Sequence, residues 1–469
     1  MNKGLRIQGD LMGFDKIERE IEISSTGRSM AVGFKIPSGE VIELTIPPTV
    51  YPPRRDTRLM LDSLARLTCP PGHLVEVGCG SGAISIAMAL VGWKVSAFDI
   101  NPIAVATTRG NAIEAGVNES IRVEESGVGE EDWKIPSDAD VIVWNLPYLD
   151  PAVEEGVSLG PLEEAALGDE GELGWSHILL ESLSEGESRN KTFILLFRTD
   201  PESLSSPIDW SLKGWSSRRL AIERVGDETL ETVAFWRPGD TAEAHYLEES
   251  DSTMDDARAL PNEGWQRIRA GIQQSGRGRR GSQWQSKEGD LTATWSLNQS
   301  VLNDRSPGLL QVAVGACVAD ALSMDLKWPN DLLIDGRKAG GILVESSSLD
   351  GRVRIGIGLN QNPSNVEGRD VAGWTESIGD IDDVSAFEIV DAAIASILDD
   401  SVPIATPESS QLQRGSWTAM SRALSRGAEA TRTDVPVRIA GLKESGALVA
   451  IAGSELLVID DVGELVISF

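Results

Sequence analysis

The sequence predicts three parts in order: a doubly wound α/β domain with a parallel-rich sheet, an α+β domain and a small terminal β-domain. Over residues 50–236, short apolar runs alternate with stretches of helical spacing, which is typical of parallel strands joined by crossover helices. After the turn cluster at residues 237–240 this alternation stops, and from about Val435 the chain has only short strand-like runs. We therefore divide the chain into a β-rich extension (1–49), the α/β domain (50–238), the α+β domain (241–430) and the terminal domain (431–469).

The chain is strongly acidic. Its 469 residues carry 73 acidic and 42 basic side chains, a formal net charge of -31, and this balance argues against DNA binding through a broad basic face. Three cysteines and three histidines are too few for a disulfide framework or a zinc cluster, which favours a reducing, cytoplasmic setting. No apolar run reaches the roughly 18 residues of a membrane-spanning helix, and residues 1–10 lack the apolar core of a signal peptide, so we expect no membrane association.

The N-terminal extension is predicted to contain strands. Residues 20–23 and 41–46 alternate polar and apolar side chains, with the period of two that a half-buried strand requires. Prolines between positions 47 and 53 end this pattern, and a helix then begins near Asp56. We expect Asp56 or Thr57 to be its N-cap, because both side chains can accept hydrogen bonds from backbone N–H groups.

Apolar runs and helical spacing predict the remaining elements. In the α/β domain, the strands are 74–77, 95–98, 121–123, 141–144, 193–197 and 232–236, and the helices are 83–90 and 103–115. In the α+β domain, we expect a strand at 246–248, helices at 254–260 and 309–322, and a hairpin of 343–345 and 353–358 turning at 350–351. The terminal strands are 437–440, 447–451, 455–459 and 464–469.

A glycine-rich loop follows the first strand of the α/β domain and opens the next helix. Its glycines let the chain turn tightly and let a ligand approach the backbone closely. Asp99 closes the following strand, where it can accept hydrogen bonds from ribose hydroxyls. The pattern alone leaves three hypotheses open: an S-adenosylmethionine site, an NAD site, or a tight turn without a ligand.

Residues 145–148, at the end of the fourth strand, distinguish these hypotheses. Asn145, Leu146, Pro147 and Tyr148 resemble the Asn/Asp-Pro-Pro-Tyr motif of amino-methyltransferases that use S-adenosylmethionine. The Asn145 oxygen and the Leu146 carbonyl can accept both N–H groups of a planar nitrogen and stabilise the charge that develops as it attacks. Tyr148 can stack on that planar group, while Pro147 stiffens the loop; Leu146 stands where the motif has its first proline. The resemblance implies a Rossmann-like methyltransferase domain that binds S-adenosylmethionine through Glu76, Gly78, Gly80, Gly82 and Asp99.

The segment 50–57, Val-Tyr-Pro-Pro-Arg-Arg-Asp-Thr, narrows this resemblance. It is similar to the segment before the first helix in protein glutamine methyltransferases of the HemK/PrmC type, and the similarity covers about residues 47–236. It implies that the methyl acceptor is the Gly-Gly-Gln glutamine of a translation release factor, with a small activator protein as partner. Two alternatives stay open: methylation of a nucleic-acid adenine, against which the acidic charge argues, and a cofactor-binding module without catalysis.

Residues 271–281 form a second loop, rich in glycine and arginine within an acidic chain. Arginine supplies planar donors for carboxylate and phosphate oxygens, so we expect an anionic ligand to order this loop. The alternative is an RGG-like tract that binds nucleic acid, which usually interleaves aromatic side chains with the arginines.

Four blocks of the second half, 251–254, 327–333, 337–345 and 355–362, closely resemble biotin protein ligases of the bacterial and archaeal type. The resemblance covers about residues 245–469 and includes a small C-terminal SH3-like β-barrel. The Gly-Arg-Gly-Arg-Arg-Gly block separates these enzymes from lipoate ligases of the same fold. A biotin-sensing repressor would carry a small basic helix-turn-helix domain where this chain has an acidic α/β domain.

The resemblance implies that biotin and ATP form biotinyl-5'-AMP and that a lysine of a biotin carboxyl carrier protein then takes the biotin. The implied catalytic residues are Lys338, Arg277 and Arg279. The residues implied to bind biotin or ATP are Ser252, Thr253, Gln273, Gly276, Arg277, Gly278, Arg279, Lys327, Asn330, Asp331, Lys338 and Gly340. Asp331 would help to hold Mg²⁺, and Trp374 would contact adenine. We therefore interpret the chain as a bifunctional enzyme, a biotin protein ligase fused to an N-methyltransferase.

Overall fold

The computed structural model of the chain describes residues 29–130, 132–148, 173–184, 188–239, 242–278, 281–303, 305–366 and 368–468. These residues form two compact units. The first contains the described residues up to Trp210, with Ser217–Trp236 and Pro403–Ala405, and the second contains Ser211–Ser216, Arg237–Val402 and the chain from Thr406. The largest segment of the second unit thus begins at the predicted turn cluster, whereas the separate C-terminal domain stays a prediction.

The first unit opens with an antiparallel hairpin of β1 (Met30–Lys35) and β2 (Val41–Ile46). Ile42, Leu44 and Ile46 are buried while their neighbours in β2 are exposed, which is the predicted alternation. The other predicted strand of the extension, residues 20–23, lies outside the described residues.

The core of the first unit is a seven-stranded sheet in the order β5-β4-β3-β6-β7-β9-β8. Its strands are β3 (His73–Val77), β4 (Lys94–Asp99), β5 (Ile121–Glu125), β6 (Val141–Asn145), β7 (Thr192–Asp200), β8 (Ser216–Val225) and β9 (Glu228–Trp236). Strands β3 to β7 pair in parallel, as predicted, and β9 runs antiparallel to β7. The sequence analysis missed β8, because this edge strand has no continuous apolar run.

Five helices of this unit are described: α1 (Arg55–Leu64), α2 (Ala83–Leu90), α3 (Pro102–Glu114), α4 (Gly174–Ser182) and α5 (Pro207–Leu212). The predicted N-cap of α1 is wrong, because the helix begins at Arg55 with Arg54 as N-cap. Thr57 lies within the first turn and accepts a hydrogen bond from the Arg54 N–H at 3.3 Å. Asp56 also lies inside the helix, and its carboxylate reaches other elements.

The strand order positions the site of this unit. From β3 the chain moves outward through β4 and β5, then returns to place β6 on the other side of β3. Ligands of open α/β sheets bind outside the carboxyl ends of the strands at such a reversal. The glycine-rich loop follows β3 and Asn145 ends β6, so both predicted motifs meet at this crevice.

The second unit is built on a mixed seven-stranded sheet in the order β10-β11-β14-β18-β17-β16-β15. Strands β10 and β11 are parallel, and the other described pairs are antiparallel. The predicted hairpin is confirmed, with Ser347 opposite Arg352. The strands of this part are β10 (His245–Ser250), β11 (Gln266–Gln273), β12 (Gly276–Arg277), β13 (Gln283–Trp284), β14 (Leu291–Asn298), β15 (Asp325–Lys327), β16 (Asp331–Ile334), β17 (Arg337–Ser347), β18 (Arg352–Leu359), β19 (Ser364–Val366) and β20 (Arg369–Val371).

The three longer helices of this unit, α7 to α9, contribute to one apolar core together with strands of the sheet. They are α6 (Thr253–Asp256), α7 (Pro307–Ala321), α8 (Asp383–Leu398) and α9 (Ser409–Ser425), with 3₁₀ turns at Ala257–Ala259, Gln299–Leu302, Trp374–Glu376 and Val462–Glu464. Helix α7 has a serine N-cap followed by proline: the Ser306 hydroxyl accepts a hydrogen bond from the Leu309 N–H at 3.0 Å, and Pro307 is the first helical residue. The sequence analysis did not predict α8 or α9. Within the described ranges, no helix combines the length and apolar character needed to cross a membrane.

The C-terminal strands form an antiparallel five-stranded sheet in the order β24-β23-β22-β21-β25. They are β21 (Glu429–Arg432), β22 (Val435–Leu442), β23 (Leu448–Ala452), β24 (Glu455–Ile459) and β25 (Val466–Ser468). Among the described residues, no pairing joins β24 to β25. Four of these strands overlap the four predicted ones, β21 was not predicted, and closure into an SH3-like barrel stays a prediction.

A buried ion pair lies in the core of the second unit. The Asp391 carboxylate accepts hydrogen bonds from the indole N–H groups of Trp265 and Trp295, each at 2.7 Å, and lies 3.0 Å from Arg267 Nε. Burial raises the pKa of Asp391, and the nearby Arg267 charge opposes that rise. These contacts link α8 to strands β11 and β14 through charges that water cannot reach.

We expect Asp391→Ala to destabilise the second unit by about 3–5 kcal/mol, because it leaves the Arg267 charge buried and unpaired. Thermal unfolding of the whole chain, followed by circular dichroism, measures this. Asp400→Ala, at an exposed position just beyond α8, is the matched control. Replacing both partners (Arg267→Met with Asp391→Leu) should recover much of the loss, and a double variant as unstable as the single one would contradict this account.

Candidate functional sites

The glycine loop of the first unit, residues 78–82, adopts backbone conformations that favour glycine. Gly78, Gly80 and Gly82 have φ of +68°, +51° and +80°, which other residues adopt only with strain. The Gly80 N–H donates to Asp99 Oδ2 at 2.8 Å, and the Asn101 N–H donates to Asp99 Oδ1 at 2.9 Å. Burial raises the pKa of Asp99, against the effect of these hydrogen bonds. The loop and the Asp99 carboxylate, predicted as parts of one site, are therefore neighbours.

Glu76, predicted to bind S-adenosylmethionine, makes its hydrogen bonds inside the fold. Its side chain is buried, and Oε2 accepts hydrogen bonds from the Ser85 N–H at 2.9 Å and from the Ser85 hydroxyl. Burial raises the pKa of Glu76 to about 8, despite the Ser85 hydrogen bonds. The carboxyl group thus ties the end of β3 to helix α2, and we assign it to holding the loop rather than to touching a ligand.

Asn145 ends β6 with one half of its side-chain amide fixed. Its Nδ2 donates to Asp56 Oδ2 at 2.9 Å. Its Oδ1 is shielded from water and has no hydrogen-bond partner within the described residues. A buried acceptor without a partner costs about 1–3 kcal/mol, and a donor from a bound molecule would remove that cost. Asn145 Oδ1 is thus a buried acceptor that still lacks a donor, and its role toward a methylated nitrogen stays a prediction.

The side chains of Leu146 and Tyr148, which follow Asn145 in the motif, are less exposed than expected for residues that contact a substrate. The Leu146 side chain is buried at 1% exposure and Tyr148 at 7%. The Arg198 guanidinium lies over the Tyr148 ring at 5.8 Å, and burial raises the pKa of Tyr148. Pro147 is half-buried. Leu146 therefore fills the core where the motif has proline, and one face of Tyr148 already meets a cation.

The N-terminal hairpin belongs to this site through one buried amide. Asn111 of α3 accepts the Thr45 N–H at 2.9 Å and donates to the carbonyl oxygens of Thr45 and Ser81 at 3.2 and 2.9 Å. The Asn111 side chain therefore connects strand β2 to the glycine loop. No signal in the sequence predicts this contact, because Asn111 lies 66 residues from Thr45.

The second unit contains a cavity of about 260 Å³ at the face of its sheet. Residues from all the predicted blocks meet there. The predicted residues that line it are Thr253, Gln273, Arg277, Gly278, Asn330, Asp331 and Lys338. Segments that are far apart in sequence, from Thr253 to Gly358, therefore converge on one pocket of the size of a small ligand.

The two cations that line this cavity among the described residues, Lys338 and Arg277, each face a carboxylate. Lys338 Nζ lies 2.6 Å from Asp331 Oδ1, and an Arg277 guanidinium nitrogen lies 3.0 Å from Asp255 Oδ1, with Glu345 at 3.8 Å. These side chains are 30–50% exposed, so each pair stabilises the fold by little. An anionic ligand can replace the carboxylates as partner of both cations.

Gln273 presents hydrogen-bond donors to the cavity. Its Oε1 accepts the Thr253 N–H at 2.9 Å and the Thr253 hydroxyl at 3.1 Å, so the amide nitrogen is left for other partners. The Thr253 hydroxyl also lies 2.9 Å from that of Thr294. Next to Thr253 in sequence but outside the cavity wall, the Ser252 hydroxyl is buried and has no partner among the described residues. This end of the cavity suits a small polar group that both donates and accepts.

Several predicted residues lie elsewhere. Arg279 is outside the described residues, and Gly276 lines a neighbouring groove. Lys327, Gly340 and Ser252 are not part of the cavity wall. Gly340 packs on β18, where a Cβ would meet Leu359 at 2.3 Å.

Trp374 is fully buried and donates its indole N–H to the Ile381 carbonyl at 3.2 Å. Its predicted adenine contact is therefore wrong for this structure, because the ring is part of the core.

The sequence analysis missed several residues of the cavity wall. They are Met254, Ser282, Gln283, Trp284, Gly341, Ile342, Leu343, Gly356, Ile357, Gly358 and Val462. Trp284 lies against Gly358, where a Cβ would come within 2.4 Å of the indole ring. The Gly-Ile-Gly alternation on β18 was therefore a usable signal, since glycines on one face of a strand mark a close approach.

Asp331 alone does not make a metal site. Across the described ranges, no three His, Cys, Asp or Glu side chains come together as ligands. Magnesium is commonly bound by one or two carboxylates together with substrate phosphates. The Asp331 carboxylate, beside Lys338, fits such an ion only when a phosphate supplies the remaining oxygens.

Comparisons with known proteins agree with both resemblances. Residues 252–362 match the biotin/lipoate A/B protein ligase family, and residues 55–191 match the ribosomal protein L11 methyltransferase (PrmA) family. The bifunctional ligase/repressor BirA of Bacillus spizizenii is 39% identical over 99 residues, covering 19% of this chain and 30% of the relative. A Methanocaldococcus jannaschii protein, named as a candidate protein N5-glutamine methyltransferase, is 37% identical over 119 residues, covering 25% of this chain and 57% of the relative.

A solved biotin protein ligase from Aquifex aeolicus, in complex with biotin and ATP, is 25% identical with a TM-score of 0.41, covering 48% of this chain and 98% of that one. For the two sequence relatives, the BirA protein and the Methanocaldococcus jannaschii protein, this chain spans less than two thirds of their own length. The predicted order, a methyltransferase segment followed by a biotin-ligase segment, is confirmed by the two matches, and the methyltransferase model that matches is PrmA where HemK/PrmC was predicted.

The raised pKa of Glu76 predicts a pH-dependent stability. Between about pH 4.5 and pH 8 the folded chain keeps this proton while the unfolded chain releases it, so stability falls as pH rises through that window. Glu76→Gln removes the titration, and we expect the wild-type chain to lose stability relative to the variant from about pH 5 to about pH 8. Thermal unfolding of both chains across that range measures this, and a constant difference would contradict it.

Proposed function

We propose that the second unit is an ATP-dependent biotin protein ligase. The observation that carries this is the single cavity in which Gln273, Arg277, Asp331 and Lys338 meet. A cavity with two cations and an amide donor fits a carboxylate substrate beside a nucleotide phosphate. The family match over residues 252–362 supports the same activity.

In this proposal two anions, the biotin carboxylate and ATP, must be brought together before they react. A carboxylate oxygen of biotin attacks the α-phosphorus, a new C–O–P link forms, and pyrophosphate leaves. Lys338 and Arg277 neutralise the charge that builds up on the phosphate oxygens, after exchanging their carboxylate partners for the ligand. A Mg²⁺ ion held by Asp331 and the phosphates would add further charge compensation.

The second step transfers biotin to a carrier. The uncharged amine of a carrier-protein lysine attacks the acyl carbon of biotinyl-5'-AMP, an amide bond forms, and AMP leaves with its negative charge still beside Lys338. The Gln273 amide would hold the ureido ring of biotin; the resemblance adds the Ser252 hydroxyl, which lies outside the cavity wall. We also propose that residues 431–469 form the small SH3-like domain of this ligase; Val462 contributes to the cavity wall.

We expect Lys338→Ala to lower the rate of biotinyl-5'-AMP formation by about 10²–10³-fold, because a charged donor to the transition state is lost. The same change leaves Asp331 without its cation. Pyrophosphate release from biotin and ATP measures the first step, and biotin label on a carrier domain measures the second. Lys443→Ala, exposed on the β22–β23 turn, is the control, and unchanged rates in Lys338→Ala would remove the role given to this lysine.

We propose that the first unit is an S-adenosylmethionine-dependent N-methyltransferase. The observation that carries this is the unpartnered Asn145 Oδ1 at the strand-order reversal, beside the glycine loop. In this proposal the glycine loop and Asp99 hold the cofactor. Asn145 Oδ1 and the Leu146 carbonyl accept the N–H groups of the target nitrogen and stabilise its developing positive charge.

The favoured acceptor is the glutamine side chain of a translation release factor, presented with a small activator protein. The name of the Methanocaldococcus jannaschii relative supports a protein glutamine, and the net charge of -31 disfavours a nucleic-acid adenine. The other candidate is a side chain of a ribosomal protein, which the family matched over residues 55–191 favours. We place both activities in one cytoplasmic chain.

Two substitutions separate cofactor binding from transfer. Asp99→Ala should weaken S-adenosylmethionine binding by about 1.5–3 kcal/mol, through lost hydrogen bonds to a charged group. Asn145→Ala should leave binding nearly intact and abolish transfer, because its contact matters mainly in the transition state. Calorimetry measures the first effect, and methyl transfer to a release factor or to ribosomal protein L11 measures the second. Asn118→Ala, at an exposed site, is the control. If the wild-type chain binds no S-adenosylmethionine, the proposal is wrong.

A further inference from the structure

The Asp56 carboxylate connects three segments at the methyl-acceptor site. It is buried at 2% exposure. Its Oδ1 accepts the Thr57 N–H at 2.7 Å, and its Oδ2 accepts the Tyr51 hydroxyl at 3.2 Å and Asn145 Nδ2 at 2.9 Å. The site resemblance assigned no role to this side chain, yet it is the group that holds the Asn145 amide.

An ionised carboxylate accepts hydrogen bonds and donates none. Facing Asp56, the Asn145 amide must therefore present its NH₂ group, and its oxygen must point to the opposite side. That oxygen is the buried atom without a partner among the described residues. We propose that Asp56 is a positioning residue, which turns the Asn145 amide so that its oxygen faces the nitrogen to be methylated.

The inference rests on the methyltransferase activity proposed above and adds a residue to it. The oxygen end and the NH₂ end of the Asn145 amide have similar shapes. Without the Asp56 carboxylate, a half-turn of this amide would bring its NH₂ donors against the N–H groups of the target nitrogen. Tyr51 supports the arrangement, because its hydroxyl shares Oδ2 and its carbonyl oxygen would lie 3.8 Å from a Cβ on Gly80. The positioning group thus lies beside the cofactor loop.

Asp56→Asn is the first test. Its amide can pair with Asn145 in either orientation, so we expect kcat for methyl transfer to fall on the order of tenfold or more, while KM and cofactor affinity change by less than about twofold. Asp62→Asn makes the same chemical change in the same helix, away from the site, and should have no effect. Tyr51→Phe, a milder change, should give a smaller fall in kcat.

A reciprocal exchange separates positioning from simple support of the fold. Asn145→Asp alone puts two carboxylates together and should be inactive. In the double variant Asp56→Asn with Asn145→Asp, the new amide at position 56 can donate to the new carboxylate, whose second oxygen again faces the target. We expect the double variant to exceed both single variants in kcat. If it is worse than both, the positioning role is overturned.

The orientation itself can be measured without a methyl acceptor. In chain labelled with ¹⁵N-asparagine and bound to S-adenosylmethionine, the Asn145 amide signals are those lost in Asn145→Ala. We expect slow exchange of these protons with water in the wild-type chain and in Asp62→Asn, and faster exchange in Asp56→Asn. Unchanged signals in Asp56→Asn would overturn the inference even if methyl transfer is observed. If no acceptor is methylated by the wild-type chain, the proposed function fails and these signals alone decide the inference.

Discussion

A carboxylate that is buried away from water needs hydrogen-bond donors around it. In this chain, with its net charge of -31, buried carboxylates with such donors connect separate elements in both units. Asp391 joins a helix to two strands through two indole N–H groups and Arg267. Asp56 joins α1, Tyr51 and the end of β6. Each carboxylate accepts at least one hydrogen bond from an element that is distant in sequence, Asn145 for Asp56 and both tryptophans for Asp391, so these charges also hold long-range contacts of the fold.

In the first unit, the strand order of the sheet determines where the candidate site lies, and buried polar side chains orient the residues of that site. The strand-order reversal brings the glycine loop and Asn145 to one crevice. Asp99 then holds the loop through the Gly80 N–H, Asn111 fastens β2 to Ser81, and Asp56 turns Asn145. The result is an acceptor oxygen that is shielded from water and ready for a donor, as an electrostatic catalyst requires.

In the second unit the cations of the cavity are already paired before any ligand arrives. Lys338 with Asp331 and Arg277 with Asp255 keep the pocket close to neutral, which limits repulsion between two cations within one small cavity. Because these pairs are partly exposed, exchanging them for a phosphate or carboxylate costs little. An acidic chain can thus carry an anion site without a broad basic surface.

The sequence by itself determined the strand–helix alternation and the parallel-rich sheet of the first unit, the β17–β18 hairpin and most of the cavity-lining blocks, because these depend on local periodicity and on motifs with fixed spacing. It did not determine the N-cap of α1, edge strand β8, helices α8 and α9, or the burial of Glu76 and Trp374. Only the tertiary structure decided that Glu76 holds Ser85, that Trp374 is core and that Asp56 meets Asn145. The physical reason is that burial and hydrogen-bond partners depend on what the rest of the chain brings alongside, 89 residues away in the case of Asp56 and Asn145.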